Sequence, residues 1–224
     1  MLLAIDTATR MAGLALYDEV QGWILGEELW HSANNHTVEL MPRLVRMLAL
    51  QGLGPKDLTG LVVSLGPGSF TGVRIGLSLA KGLALAGHLP LVGVPNLDVV
   101  AEPHKAHNLP IWAVLRAGRG RVCAGNYVRH GGRWRRRGPM LLTTWNELLE
   151  QVQEPVLFCG EIDAPEAETI RKRLGEASLL VTPAAAPRRA GYLAELGWKR
   201  LARGDADDAE TLTPIYLPQP QIDV

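Results

Sequence analysis

The chain has 224 residues, of which 47% are hydrophobic and 21% are charged, and its 23 basic and 23 acidic residues cancel. This composition is typical of a globular protein and excludes a disordered or low-complexity chain. A net charge of zero also excludes long-range steering of the whole molecule towards nucleic acid, so any contact with RNA has to be local.

The first half of the chain predicts an α/β domain with the order βββαβα. Three strand-like runs come first: LLAIDTA, AGLALYDE and GWILGEELW. The segment VELMPRLVRMLALQG then has apolar residues at helical spacing, and LTGLVVSLG is typical of a strand buried on both faces. The small-residue segment that begins with GPGSFTGVRIG predicts a second helix, and LPLVGVP predicts another buried strand.

The second half repeats this alternation more weakly. The polar, proline-bracketed segment PHKAHNLP predicts a boundary between a first domain, residues 1–102, and a second, residues 103–224. In the second domain we expect strands at IWAVLRAG, RVCAGNYVRH, RRGPMLLT, PVLFCGE and SLLVTP. Helices are expected at TWNELLEQV, PEAETIRKRLGE and RRAGYLAELGWKRLARG.

Three features predict a soluble protein of the cytoplasm. The N-terminus MLLAIDTATR lacks the parts of a signal peptide. The most apolar run, residues 75–94, is broken by a lysine, a histidine and a proline, which argues against a membrane span. Cys123 and Cys159 lie in apolar strand-like runs without CxxC spacing, so buried free thiols are expected.

The glycine-rich turn SLGPGSFTG matches neither common phosphate motif. The Lys-Ser/Thr pair of a P-loop is missing, and Gly72 lies one residue outside the spacing of a dinucleotide fingerprint. Two interpretations stay open. Backbone N–H groups at the start of the helix, with Ser69 and Thr71 as caps, could hold an anion. Alternatively, Gly66 and Gly68 make a tight turn and Ser69 only caps the helix.

Other catalytic patterns are absent from the sequence. No G-x-S-x-G elbow surrounds the hydroxyls of the turn. The histidines are scattered, and neither His104 with His107 nor His31 with His36 supplies the three ligands of a catalytic zinc site. Metal-dependent and triad chemistry are therefore not predicted.

A basic segment, RHGGRWRRRG, surrounds Trp134 with five arginines. Basic residues with an interleaved aromatic can track an RNA backbone and stack on a base. In a hairpin the same run can be a solvated edge that discourages sheet aggregation. The arginines are Arg129, Arg133, Arg135, Arg136 and Arg137.

Two helices of the first domain carry wide apolar coverage. At helical spacing, Arg74, Ser78 and Lys81 form a narrow polar stripe with Leu77 beside it. On the preceding helix the outward stripe has large apolar neighbours as well. Such coverage predicts either a helix enclosed within one domain or an interface with a partner.

Four segments of the chain resemble the TsaB (YeaZ-type) family of bacterial tRNA threonylcarbamoyladenosine synthesis: LAIDTAT, LVVSLGPGSFTGVRIGLSLAKGLA, LVGVPNLD and PIYL. The likeness covers nearly all of residues 1–102 and is loose beyond them. It implies the actin-like ATPase fold of hexokinase and the heat-shock ATPases, in a small two-lobed form. The predicted fold class is therefore α/β with an actin-like ATPase fold.

The resemblance also implies a function through partners. TsaB-like proteins form a heterodimer with a longer catalytic paralogue, TsaD, or a homodimer when TsaD is absent. With the ATPase TsaE, they transfer a threonylcarbamoyl group to the adenosine next to the anticodon in tRNAs that read codons beginning with A. For this chain the resemblance implies an activating subunit that touches tRNA only indirectly.

The catalytic metal site of the paralogue is not preserved. TsaD-like chains have a VHHxEGH pattern whose second and third histidines bind the metal. Here VPNLDVV puts Asn96 and Val100 at those positions, and valine has no ligand atom. We therefore predict no catalysis and no cofactor for the chain alone, with ATP bound only in the complex.

The resemblance assigns two sets of residues. Its phosphate-contacting hairpin maps to Asp6 and Thr7, although DTAT lacks the glycine usual in active ATPases. Together with Gly66, Gly68 and Ser69 of the glycine-rich turn, they are the predicted nucleotide-binding residues. Its partner-binding helices map to residues 37–51 and 69–86. The predicted partner-binding residues are Glu39, Leu40, Arg43, Met47, Arg74, Leu77, Ser78 and Lys81.

Two rival functions stay open. An ATP-dependent phosphotransferase of the same fold would need an intact Asp-Gly hairpin and a second acidic residue. At the related segment in the second half, RAGRGRVCAG has Arg116 where the family pattern DARRGEVYAA has an acid. A peptidase, a role once attached to relatives, would need the histidines or the triad that the sequence lacks.

Overall fold

In the computed structural model, which describes residues 1–33 and 35–218, the chain divides into two units. The first combines Met1–Val99 with Arg188–Ile215, and the second is built on Val100–Pro187. The predicted boundary after residue 102 is close to the observed one. The prediction that residues 103–224 form one domain is wrong, because Arg188–Ile215 returns to the first unit.

The first unit has a five-stranded mixed sheet in the order β3-β2-β1-β4-β5. The first three strands pair antiparallel, and β1, β4 and β5 pair parallel. Its strands are β1 Leu2–Asp6, β2 Met11–Asp18, β3 Trp23–His31, β4 Gly60–Ser64 and β5 Leu91–Val94. Its helices are α1 His36–Leu50, α2 Phe70–Gly87 and, from the end of the chain, α6 Ala190–Leu201, while the short α3 Asn96–Ala101 ends at the junction of the units.

Helices cover both faces of this sheet, which is why its inner strands are apolar throughout. Side chains alternate along a strand, so Leu3 and Ile5 pack under α1 and α2, whereas Leu2 and Ala4 face α6. Helix α6 lies so close that a Cβ on Gly197 would be 2.3 Å from a methyl of Val62. The need of the second face for an apolar cover explains why the late segment of the chain belongs to the first unit.

The second unit repeats the same topology. Its sheet has the order β10-β9-β6-β7-β8, again with three antiparallel strands followed by parallel crossovers. Its strands are β6 Ile111–Gly118, β7 Arg121–His130, β8 Arg133–Thr144, β9 Val156–Gly160 and β10 Ser178–Leu180. Its helices are α4 Trp145–Glu150 and α5 Ala164–Leu174. This duplicated order is the predicted actin-like ATPase fold, and only α3 was missed among the helices longer than one turn.

The two cysteines are buried free thiols, as predicted. Burial raises the pKa of the Cys123 thiol to about 11 and raises that of Cys159 further, so neither is a reactive thiolate near neutral pH. Within the described residues, no helix has the length and apolarity needed to cross a membrane.

Candidate functional site

The glycine-rich turn caps its helix with its own atoms. Ser69 is the N-cap of α2, and its hydroxyl accepts a hydrogen bond from the Gly72 N–H at 3.2 Å. The Ser69 N–H donates to the Ala8 carbonyl at 2.6 Å. Gly66, at φ +95°, adopts a conformation that favours glycine. The predicted cap by Ser69 is therefore observed, and two donors at the helix start have partners within the chain.

The small-residue stripe on α2 accommodates the loop that follows β1. Cβ atoms built on Gly68 and Gly72 would lie 2.3 and 2.2 Å from the carbonyl oxygens of Ala8 and Thr7. A Cβ on Gly76 would lie 2.4 Å from the Thr7 hydroxyl, which donates to the Gly72 carbonyl at 2.7 Å. These glycines therefore allow the backbone at the start of α2 to pack against the loop after β1 of the same unit.

Asp6, the predicted phosphate-hairpin acid, is held in a buried ion pair. The Arg188 guanidinium donates from Nε to Asp6 Oδ2 at 2.6 Å, and both side chains are 2% exposed. The other oxygen accepts from the Ser64 hydroxyl at 2.9 Å and the Ala8 N–H at 3.0 Å. A carboxylate with these partners does not fit the role of a metal or nucleotide ligand, because one cation already neutralises it.

The equivalent hairpin of the second unit, between β6 and β7, has no carboxylate of its own at the position of Asp6. Arg116 stands near the end of β6, its guanidinium pairs with Asp163, and its N–H donates to the Glu161 carboxylate at 3.0 Å. Arg188 was missed as a site residue by sequence analysis, which assigned it only to the start of a predicted helix. Its pairing with Asp6 joins residues that are 182 apart in the sequence, and no local pattern announces it.

Asn96 and Val100 have structural environments. Asn96 is fully buried, and its amide donates to the Pro67 carbonyl at 3.1 Å while its Oδ1 accepts from the Gly66 N–H at 3.2 Å. Val100 is 3% exposed. No group of three or more His, Cys, Asp or Glu side chains is placed to hold a metal ion in residues 1–33 and 35–218.

Three of the predicted partner-binding residues are in the core of the first unit. Leu40, Met47 and Leu77 are 2%, 5% and 5% exposed and pack with the apolar residues of β1, β2 and β4. Their assignment to the surface is wrong, because the sheet takes the face of each helix that carries them. Arg74 and Ser78 are exposed, as predicted.

The remaining polar candidates bond within their own unit. Arg43 pairs with Glu28 and stacks 4.6 Å above the Trp30 ring. Glu39 accepts from the Trp30 indole at 3.0 Å. Lys81 donates to the Glu210 carbonyl at 3.1 Å. Arg43 and Glu39 therefore hold α1 on β3, and Lys81 ties α2 to the segment that follows α6.

The outer faces of α1 and α2 instead expose large apolar side chains that sequence analysis did not assign to the site. Their exposed fractions range from 42% for Met41 to 72% for Leu50. Together they form what we call the helical face: Val38, Met41, Val45, Leu50, Phe70 and Leu85. The mixed apolar pattern of both helices was the only sequence signal for it.

A groove of about 470 Å³ lies between the N-terminal halves of α1 and α2. Met41, Phe70 and Ile75 give it apolar walls, and Arg74 stacks 3.6 Å above the Phe70 ring at its side. His36 also lines it, and its buried Nδ1 has no hydrogen-bond partner among the described residues. Burial lowers the pKa of His36, so the neutral ring predominates at pH 7.

Comparisons with known proteins agree with this geometry. Residues 30–221 match the family model described as TsaD, tRNA N6-adenosine threonylcarbamoyltransferase. The chain is similar to the tRNA threonylcarbamoyladenosine biosynthesis protein TsaB of Bacillus subtilis, at 34% identity over 96% of this chain and 93% of that protein. TsaB of Haemophilus influenzae is 30% identical over 96% of this chain and 92% of its own length. The solved structure of YeaZ from Pseudomonas aeruginosa superposes with a TM-score of 0.77 at 25% identity, covering 96% of this chain and 99% of that one.

Proposed function

The chain belongs to the TsaB family, and from that premise we propose that it is a non-catalytic subunit that binds a TsaD-type paralogue and activates threonylcarbamoylation of tRNA. The names of its relatives support the pathway. The helical face supports the mode of action, since six large apolar side chains of one helix pair are exposed. Large exposed apolar side chains gathered on one helix pair are typical of a protein interface.

The groove supports the same role in finer detail. Binding energy at interfaces concentrates in a few side chains that fill desolvated pockets. The groove has the apolar walls for such an anchor, which Met41, Phe70 and Ile75 supply. A large aromatic side chain of the partner would fill it, because such rings bury a large apolar area.

The absence of catalysis is supported by the two positions that replace the paralogue's histidines. Asn96 braces the glycine-rich turn and Val100 is buried, so neither is left for a metal. Asp6 is likewise engaged by Arg188. On this proposal, ATP, TsaE and the reacting groups act in the assembled complex, and a homodimer uses the same helical face when no partner is present.

Reconstituted transfer of the threonylcarbamoyl group to tRNA tests the proposal. We expect a TsaD-type partner to be nearly inactive alone and to gain activity in proportion to the added chain until a 1:1 ratio. An undiminished rate from the partner alone would refute the activator role. Steady ATP turnover by the isolated chain would favour the phosphotransferase instead.

A further inference from the structure

The arginines of the second unit are concentrated on one hairpin. Between residues 116 and 137 the chain has eight arginines and no aspartate or glutamate, although its overall charge is zero. Five of them lie at the end of β7 or on the first half of β8, which is an edge strand of its sheet. We call this segment, residues 129–137, the arginine edge.

The strand geometry sorts the arginine edge into two faces. Arg133, Arg135 and Arg137 alternate along β8, are all exposed, and share one face of the sheet. At a rise of about 3.4 Å per residue, neighbouring members of this row are about 7 Å apart. The register pairs His130 with Arg133 on the same face, which adds another nitrogen donor to the row.

The opposite face of the same strand carries a stacked aromatic pair. Trp134 stacks on Tyr127 with ring centroids 6.0 Å apart and an interplanar angle of 19°. Tyr127 is buried, whereas Trp134 is half-buried. In the register of the hairpin, Arg129 lies opposite Trp134 and Arg136 opposite Tyr127, so this face also carries positive charge.

Only some arginines of the arginine edge have their side chains bonded within the second unit. Arg137 pairs with Glu154 at 3.1 Å, and Arg129 donates to the Lys105 carbonyl at 3.0 Å. The side chains of Arg133 and Arg135 make no hydrogen bond or ion pair within residues 1–33 and 35–218. Their guanidinium groups are therefore available to an external anion.

We propose that the arginine edge binds the phosphate backbone of the RNA that the complex modifies. A linear row of exposed guanidinium groups is an arrangement that proteins use to contact successive phosphates of a nucleic-acid backbone. Guanidinium binds phosphate oxygens in bidentate fashion, and the edge contains arginine without a single lysine. Protection of an edge strand against aggregation requires only a few charges, often lysine, so it does not account for this density.

The identity of the RNA rests on the proposed function, whereas phosphate binding by the isolated chain does not. A fluorescent tRNA transcript titrated with the chain alone, at several salt concentrations, measures this binding directly. We expect Arg133→Glu with Arg135→Glu to weaken binding at least tenfold near 0.1 M salt. The slope of log K against log salt should fall in magnitude by about one to two, as expected for the loss of about two phosphate contacts.

The matched control is Arg171→Glu with Lys172→Glu, two exposed positions of α5 in the same unit that undergo the same change of charge. It should keep the wild-type affinity to within about twofold. The conservative pair Arg133→Lys with Arg135→Lys should retain most of the affinity and separate loss of charge from loss of folding. Equal losses in the edge and α5 variants, or none in the edge variant, would overturn the proposal.

A second measurement excludes a protein ligand for the same surface. The edge variant should co-elute with the TsaD-type partner like the wild type and should raise the apparent KM for tRNA. If it loses the partner and keeps RNA affinity, the arginine edge is a protein-binding surface and the inference is wrong. If the wild type binds RNA through the edge but fails to activate the partner, the proposed function fails and this inference stands.

Discussion

The two units place equivalent helices on equivalent sheets, yet the exposed face of the helix is apolar in one unit and charged in the other. Helix α2 follows the fourth strand of the first unit and exposes Phe70 and Leu85. Helix α5 follows the corresponding strand of the second unit and exposes Glu168, Arg171 and Lys172. Because the topology is shared, it does not itself require an apolar outer face. The helical face is therefore a property of the first unit's sequence, which is the expectation for a binding surface.

The hairpins at the first strand of each unit differ in a similar way. In the first unit, Asp6 and Arg188 form a buried pair that secures the returning segment Arg188–Ile215. In the second, Arg116 and Asp163 form a pair in which both side chains are about half exposed. The hairpin of the first unit is thus held by a buried ion pair, whereas the ion pair of the second unit is exposed to solvent.

Replacement of Arg188 should have the largest effect on stability. Arg188→Met leaves the Asp6 carboxylate buried without its cation, which should lower the free energy of unfolding by about 3–5 kcal/mol. The corresponding change in the second unit, Arg116→Met, removes a surface pair and should cost less than about 1 kcal/mol. Urea denaturation of both variants measures the difference. Equal losses would contradict the assignment of a buried brace to only one hairpin.

The helical face should fail as an interface when it becomes charged. Met41→Asp with Val45→Asp places two carboxylates among apolar groups that lose water on binding, so affinity for a TsaD-type partner should fall at least 30-fold, or about 2 kcal/mol. Both side chains are solvent-exposed, so folding should survive. The control, Val20→Asp with Leu179→Asp, changes exposed apolar residues elsewhere and should bind within about twofold of wild type. Calorimetric titration distinguishes the two outcomes.

The sequence could predict the strands and long helices because their periodicity and turn residues are local signals. It could not predict the inward sides of α1 and α2, because apolar residues surround much of both helices. For that reason Leu40, Met47 and Leu77 were assigned to the surface, although they lie in the core. The ion pair between Arg188 and Asp6, and the return of Arg188–Ile215 to the first unit, depend on contacts between distant parts of the chain. No local sequence pattern predicts such contacts.

The short helix α3 was missed for a different reason. Six residues, Asn96–Ala101, are too few for a helical period to appear, and the helix begins directly after a proline. The substitutions at its positions 96 and 100 were nevertheless identified from the family pattern. What the structure adds is their physical role, since Asn96 is bound by both atoms of its amide to the glycine-rich turn.

Two glycines on α2 test whether its small residues accommodate the unit's own loop. Gly72→Ala would bring a Cβ to 2.2 Å from the Thr7 carbonyl oxygen, and the required shift should cost about 1–3 kcal/mol. Gly82→Ala meets nothing within 4 Å and should stabilise the helix by about 0.5–1 kcal/mol. Thermal unfolding of the two variants gives the sign of each effect. A Gly72→Ala variant with full stability but weakened partner binding would show that the stripe contacts another chain instead.

The smallest expected effect is a pH dependence of folding stability, to which one histidine of each unit contributes. Burial lowers the pKa of His36 below its ordinary value near 6.5, against the opposing influence of Glu39, Asp6 and a hydrogen bond to the Thr9 backbone. The unfolded chain therefore binds this proton more readily, and stability contributed by the neutral ring is present at pH 7.5 and declines as the pH falls below about 6.5. Urea midpoints should show that His36→Gln flattens this decline between pH 7 and pH 5.

In the second unit, burial likewise lowers the pKa of His104, with a further contribution from the neighbouring His107. His104→Gln should therefore remove a separate part of the same decline, and the two substitutions should add because the residues share no partner. A His36→Gln variant that loses the same stability at every pH would attribute the effect to packing. Such a result would show that His36 stabilises the first unit through its packing beside the groove and not through its protonation.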